Sequence, residues 1–256
     1  MKIAVILRNG PDPLEELPII DGKLDWEEAS LALDLFDDYA LEEAVLLKEQ
    51  TGAELVVVGL VSHGVRLLQT ALARGADRAV KLDFDVPDDT SSRALAPVFA
   101  DAVRHLGADI VITGVQGAGD IFGQLGPFLA TELDWPQVNG AISIEAVDDR
   151  LHVRHDAGAG RVLALGLTLP AVVGVQASRR PPSYVSGSKL RKAIEAGAIE
   201  TLRLTSAIAP DAAKLHSLQR PQKDRQVERL DDDPQKAAEQ IISLLANQGI
   251  EGKINA

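Results

Sequence analysis

The densest run of residues able to hold a ligand is Gly114, Val115, Gln116, Gly117, Ala118, Gly119, Asp120, Ile121, Phe122, Gly123, Gln124, Leu125 and Gly126. Glycine lets a backbone come close to a bound group, and amides at the start of a following helix favour a phosphate. The run follows residues 110–113, an apolar stretch of strand length, which is where an open α/β sheet presents its ligand site. It lacks the GxGxxG spacing of a dinucleotide fingerprint and the Gly-Lys-Ser/Thr ending of a P-loop. On spacing alone, a flexible turn explains it as well as a nucleotide site does.

Other reactive residue types are present but do not converge. Residues 34–43 are rich in acids, which in pairs could bind a metal or transfer protons. Helix capping and the helix dipole account for them more economically. His63, His105, His152, His155 and His216 are scattered, and His152 and His155 would face opposite sides of an alternating strand. Ser178, Ser183, Ser186 and Ser188 lack a nucleophile-elbow context and read as loop or cap serines. With no cysteine, the chain has no disulfide, thiolate metal site or thiol nucleophile. No catalytic residue and no metal site is expected.

The elements around the glycine run alternate. Residues 3–7 read as a buried strand ending in the turn formers Arg8, Asn9, Gly10 and Pro11. Residues 12–26, interrupted by proline and by Asp21-Gly22, read as an ordered excursion. Asp37 and Asp38 are placed to cap a helix carrying Ala40, Leu41, Ala44 and Val45. A strand over 55–59 follows, then a helix capped by Ser62 and stopped at Gly75, a strand over 79–82, and a helix over 90–106 ending at Gly107. This strand–helix order predicts an open, mostly parallel sheet flanked by helices. From Ile142 the period changes to alternation, through the turn Asp148-Asp149 and on to Leu163, Leu165 and Leu167, so antiparallel strands are added. Residues 171–175 form one more apolar run. Residues 1–210 are assigned to the nucleotide-binding α/β domain and 211–256 to an extended C-terminal arm whose helix, over 237–245, packs on a partner subunit.

The 256 residues are 46% hydrophobic and 25% charged, enough for a substantial core, and the net charge is −12. That charge argues against nucleic acid, which needs clustered Lys and Arg. The apolar stretch near the amino terminus stops at Leu7, too short for a secretory signal or a membrane span, and a soluble cytoplasmic protein is expected.

Several runs, in order and spread along the chain, resemble the electron transfer flavoprotein β-subunit family. They are Leu35-Phe36-Asp37-Asp38-Tyr39-Ala40-Leu41-Glu42-Glu43-Ala44 with Lys48-Glu49, and Ala71-Leu72-Ala73-Arg74-Gly75-Ala76-Asp77-Arg78. The glycine run itself follows, continued by Ala130, Leu133, Trp135, Pro136 and Gln137, and then Leu169-Pro170-Ala171-Val172-Val173. The resemblance implies a non-catalytic subunit that pairs with an FAD-bearing α subunit and holds AMP, or a second FAD as in bifurcating relatives. Such a pair shuttles electrons from a dehydrogenase to a quinone reductase or similar acceptor. By matching position, the nucleotide would be held by Ile6, Asp34, Leu35, Phe36, Asp37, Gly59, Gly114, Val115, Gln116, Gly117, Ala118, Gly119, Asp120, Gly123, Gln124 and Leu125. Partner docking would fall to residues 178–192, with Pro182, Tyr184, Gly187 and Lys192.

The chain departs from the family pattern at informative places. Asp34-Leu35 stands where the family commonly has Asn-Pro, exchanging an amide for a negative charge. Gly119-Asp120-Ile121 replaces an Asp-Gly-Asp stretch, and residues 156–161 lack the family's usual Glu or Gln. The docking segment reads Arg180-Pro181-Pro182-Ser183-Tyr184, with Gly187 in the position of an apolar anchor, which implies a divergent member with an altered partner. Two other readings stay open: a standalone adenine-nucleotide-binding enzyme, and a structural subunit that has lost its nucleotide.

Overall fold

The structure, a computed structural model, describes residues 1–12, 14–60, 65–84, 90–117, 122–196, 199–204, 208, 216–220 and 229–247. Its centre is β1 (Lys2–Leu7), whose Ile3, Val5 and Leu7 face one side and Ala4 and Ile6 the other, all fully buried. A strand apolar on both faces belongs in the middle of a sheet covered by helices on both sides. After β1 the chain makes β2 (Asn9–Pro11), the small hairpin β3 (Ile19–Ile20) and β4 (Lys23–Leu24), and β5 (Leu31–Leu33), which pairs back onto β2. The hairpin turn is Asp21-Gly22, with φ of 49° and 75°, so the proline-interrupted excursion is ordered without being helical.

The alternation then proceeds as expected. Helix α1 (Leu35–Thr51), β6 (Glu54–Leu60), α2 (Arg66–Arg74), β7 (Arg78–Asp83), α3 (Ser92–Leu106), β8 (Ile110–Gly114) and α4 (Leu125–Leu133) follow in turn. Next come β9 (Gln137–Val147), β10 (Arg150–Asp156), β11 (Val162–Thr168), β12 (Ala171–Val175), α5 (Gly187–Glu195) and β13 (Ile199–Arg203). One nine-stranded sheet has the order β11-β10-β9-β12-β8-β1-β6-β7-β13. Only the pairings of β10 with β9 and β11 are antiparallel; the others are parallel. Helices α1 and α2 cover one face and α3 and α4 the other. Each fully buried Val, Leu or Ile contributes about 1.5–3 kcal/mol relative to exposure, so this double layer dominates stability.

Four details differ from the sequence reading. Asp34, not Asp37 or Asp38, caps α1 by accepting the Phe36 amide at 3.2 Å; Asp37 is buried and committed elsewhere. Helix α2 starts from Val65 without a side-chain cap, and Ser62 and His63 lie outside the described residues. Strand β13 has no long apolar run to announce it, because charge pairs help hold it at the sheet edge. Arg78 bonds Glu200 through Nε and Nη2, both at 2.7 Å, and Arg203 bonds Asp83 at 2.8 Å. Strand β9 also begins before the alternating stretch, since its first residues pair in parallel with β12 and its later ones with β10.

The chain divides into two compact units, Met1–Leu218 and Gln219–Ala256. In the second, α6 (Pro234–Asn247) is capped by Asp233, whose carboxylate accepts the amides of Gln235 at 2.9 Å and Lys236 at 3.2 Å. Its Ile241, Ile242 and Leu244 are exposed. Among the described residues, no helix is long and apolar enough to cross a membrane.

Candidate functional site

Parallel register brings the carboxyl ends of β8, β1 and β6 side by side, with Leu7 opposite Gly59 and Val5 opposite Ile112. Ile6, Gly59 and Gly114 therefore stand at one edge of the sheet, where α1 also begins. The Asp37 carboxylate, fully buried, ties this edge together. It accepts the Gly114 amide at 2.9 Å, the Arg8 amide at 2.7 Å, and the Arg8 side chain through Nε at 3.0 Å and Nη2 at 2.8 Å. Such a two-pronged arginine–carboxylate pair fixes both partners in orientation.

The glycines of the run have local reasons for being glycine. A Cβ on Gly114 would meet the Asp37 amide nitrogen and the Phe36 carbonyl carbon, each at 2.7 Å, so the start of α1 comes closer to β8 here than any side chain would permit. A Cβ on Gly117 would stand 2.9 Å from Arg8 Nη1 and 3.3 Å from Asp34 Oδ2. Gly123 has φ of 63° and packs against the Val115 carbonyl. Arg8 Nη2 also reaches the Gln116 carbonyl at 3.3 Å, and the Val115 amide donates to the Val175 carbonyl at 2.8 Å. Asp34, Asp37, Gly114, Gln116 and Gly117 thus gather around Arg8, while Leu35 is exposed, Phe36 half-buried, and Gln124 and Leu125 form the start of α4. Ala118, Gly119 and Asp120 lie outside the described residues.

Two groups that sequence reasoning missed border the site. Arg8 read as one of a cluster of turn formers; the available signal was a cation directly after a buried strand, facing an acid-rich helix start. The other is a polar row beneath α4. Thr113 on β8, Gly174 on β12 and Asn139 on β9 are register partners. Thr113 Oγ1 and Asn139 Oδ1 are buried without a hydrogen-bond partner among the described residues, 3.3 and 3.7 Å from where a Cβ on Gly126 would stand.

Residues 178–192, expected from the sequence to dock a partner, lie away from this edge, but their first part is tied to the same helix, α1, through Glu42 and Glu43. Glu42 and Glu43 are fully buried. Glu42 accepts from Arg180 Nε, from Arg74 Nη2 at 2.7 Å, and from the Ser183 amide and hydroxyl at 2.9 Å each. Glu43 accepts the Arg179 amide at 2.6 Å and the Ile144 amide at 3.1 Å. Burial alone would raise the Glu42 pKa, but the bonds from Arg180, Ser183 and Arg74 outweigh it and hold the carboxyl at about 2. The acids of 34–43 are therefore mostly long-range anchors, which corrects the capping explanation. Pro182 is half-buried, Tyr184 is 88% exposed, and Gly187 opens α5 with free space around it. Lys192 lines a shallow cleft of about 500 Å³ between α2 and α5, with Leu72, Ala73 and Lys189.

Among the described residues, no group of three or more His, Cys, Asp or Glu is arranged to hold a metal ion. His152 is exposed, and His155 is half-buried with its Nδ1 unpartnered.

A doubly wound sheet whose glycine run and helix starts meet at one carboxyl edge defines an α/β subunit of the open-sheet class. The electron transfer flavoprotein domain model matches residues 24–207. The chain is 28% identical over 250 residues to the electron transfer flavoprotein subunit beta of Syntrophomonas wolfei, covering 96% of each. It is 28% identical over 259 residues to that of Bacillus subtilis, covering 97% of this chain and 98% of the relative. To the mitochondrial subunit beta of Oryza sativa subsp. japonica it is 33% identical over 202 residues, 75% and 78% of the two chains. The chain belongs to the electron transfer flavoprotein β-subunit family, and is an electron transfer flavoprotein subunit.

Proposed function

We propose that this chain pairs with an FAD-bearing α subunit and holds an adenine nucleotide, AMP or a second FAD, at the carboxyl edge of β8, β1 and β6. The observation that carries the reading is the meeting of Ile6, Gly59, the 114–117 backbone and the start of α1 at that edge. Parallel strand ends supply an apolar rest for a purine, and the α1 and α4 amino ends supply positive dipole for a phosphate. The Thr113 hydroxyl, without a partner among the described residues and facing the first turn of α4, fits a polar ligand or ordered solvent at that end. The flavin supplies the electron chemistry. This chain's own residues bind, orient and exclude water, and none is assigned a catalytic step.

In this reading, residues 178–192 meet a dehydrogenase donor, with Tyr184 as the projecting side chain and Glu42 and Glu43 fixing the root of the segment. Electrons then pass to a quinone reductase or similar acceptor. A second reading is favoured by one observation: Gly114, Gly117 and Gly123 are each explained by contacts within the chain. A structural subunit without nucleotide would need nothing more.

Copurification with an α-type partner, followed by extraction and quantification of FAD and AMP per heterodimer, tests both. One FAD with one AMP supports the first reading. Two FAD identify the second site as a flavin site. FAD without AMP overturns the nucleotide assignment in favour of the structural subunit.

A further inference from the structure

We propose that the outer edge of β11 receives an extended segment of the α subunit, which adds one more strand to the central sheet. This rests on the pairing with an α subunit proposed above and assigns that pairing a surface.

The two ends of the sheet, β13 and β11, are built differently. Strand β13 carries Glu200 and Arg203, held in ion pairs with Arg78 and Asp83. Charge on an edge strand resists the addition of another strand. Strand β11 reads Val-Leu-Ala-Leu-Gly-Leu-Thr over residues 162–168, with no charge and no proline. It has no bulge either, and stays in register with β10 from Val162 opposite Asp156 to Thr168 opposite Arg150. Among the described residues no strand pairs with its outer side, where alternate residues turn an amide and a carbonyl outward. A regular, uncharged edge of this length is a template for strand addition unless a partner covers it.

The side chains on both faces fit such a partner. On the face toward α1, Leu167 is buried and Leu165 packs against the core, but Leu163 is 49% exposed. On the opposite face Val162 is 43% exposed, and Ala164 and Gly166 are small enough for a neighbour to lie close. Arg150 leans across β11 on that face, its Nη1 standing 3.8 Å from where a Cβ on Gly166 would be. It is exposed and forms no ion pair among the described residues.

Arg150 also discriminates between occupants. In a twofold pairing of β11 with a second copy, both Arg150 side chains would come to the same face of the seam, with no acid in β11 to separate them. Each copy carries a net charge of −12, which opposes self-association further. A different chain avoids both costs. A bare edge invites aggregation at all times, so it suits a permanent partner, the α subunit, better than a transient donor. The segment that fits is extended, apolar beside Leu163, and acidic where it passes Arg150.

Hydrogen exchange of the full chain, alone and in the heterodimer, tests this. When the α subunit is added, the outward amides of β11, at every second residue, should exchange more slowly by about tenfold or more, and those of β13 should not change. Leu163→Lys should leave the urea midpoint of the free chain unchanged and weaken heterodimer formation by about tenfold. A heterodimer in which β11 exchanges as it does in the free chain overturns the proposal and leaves the pairing intact. Uniform slowing without the two-residue period does the same, since it marks covering without strand addition, as does a Leu163→Lys chain of unchanged affinity. Protection that grows with the concentration of this chain alone, or that appears only with the donor, assigns the edge to another occupant and also overturns it. Failure to form any heterodimer would bring down the pairing itself, and the proposal with it.

Discussion

Glu42, in the second turn of α1, accepts both the amide and the hydroxyl of Ser183 at 2.9 Å, across 141 residues of chain. The same helix, five residues earlier, clamps Arg8 and Gly114 through Asp37. At about 1.5 Å of rise per residue, the two anchors are separated by little more than one turn. Helix α1 is thus a common base for the candidate nucleotide edge and for the candidate docking segment, and its buried carboxylates set the geometry of both.

Glu42→Gln should be among the more damaging conservative substitutions in the chain. It leaves Arg74, whose side chain is only 3% exposed, facing an amide where a carboxylate stood. Removing one partner of a buried ion pair typically costs about 3–5 kcal/mol. A urea titration should show a midpoint shift of that order with an unchanged slope. A shift below about 0.5 kcal/mol would mean that solvent replaces the lost bonds.

Acid should erode the same contribution. The folded-state pKa of Glu42, about 2, lies below its ordinary value of 4.5. The unfolded chain therefore takes up the proton first, and the stabilisation is complete above the ordinary value and disappears as pH falls through the folded one. Asp77 shifts in the same direction, its burial being outweighed by the Leu55 amide and Lys48. Urea midpoints measured from about pH 5 down to about pH 2.5 should fall for the wild type and fall less steeply for Glu42→Gln. Parallel curves would show that other carboxylates control acid unfolding.

Two glycine substitutions should separate close packing from helix propensity. Gly114→Ala puts a methyl against the backbone of Phe36 and Asp37, which cannot swing aside, so a loss of about 1–3 kcal/mol is expected in chemical denaturation. Gly187→Ala meets nothing within 4 Å at the first position of α5 and should be neutral or stabilising by up to about 1 kcal/mol. The reverse order would mean that α1 is not seated on β8 through Gly114.

How much of this was legible in the sequence depended on whether a residue's role is local. Strands β1, β6 and β8 are apolar runs bounded by turn residues, and the stops at Gly75 and Gly107 follow from positive φ, so the alternation could be read directly. The roles of Asp37, Glu42 and Glu43 could not, because acids in a first and second turn satisfy the helix dipole whether or not an arginine meets them. Their partners Arg8, Arg179 and Arg180 lie in other segments, and only the fold brings them together. Strand β13 was missed for a related reason: its cross-strand partners are charges, and charge pairs leave no hydrophobic period. Thr113 and Asn139 went unnoticed because a polar residue in an apolar strand carries no mark of what stands above it.

Tyr184→Ala should dissociate stability from docking. The side chain is 88% exposed, so its removal is expected to change unfolding by less than about 0.5 kcal/mol. If residues 178–192 dock the donor, the KM for the flavoprotein in donor-driven reduction should rise by about tenfold, in the range of an exposed aromatic hot spot. An unchanged KM in a folded heterodimer would remove Tyr184 from the docking surface.

Truncation after Leu218 should separate folding from assembly. The unit Met1–Leu218 contains all nine strands of the central sheet and both apolar layers, so its urea midpoint should stay within about 0.5 kcal/mol of the full chain. The truncated chain lacks α6, whose Ile241, Ile242 and Leu244 present an exposed apolar stripe. Such a stripe gains by being covered, at roughly 25 cal/mol for each Å² removed from water. If the α subunit covers it, truncation should weaken heterodimer formation by about tenfold or more in a titration of the two purified subunits. Equal affinity for the full and truncated chains would show that the arm packs elsewhere, and the exposed stripe on α6 would then need another occupant.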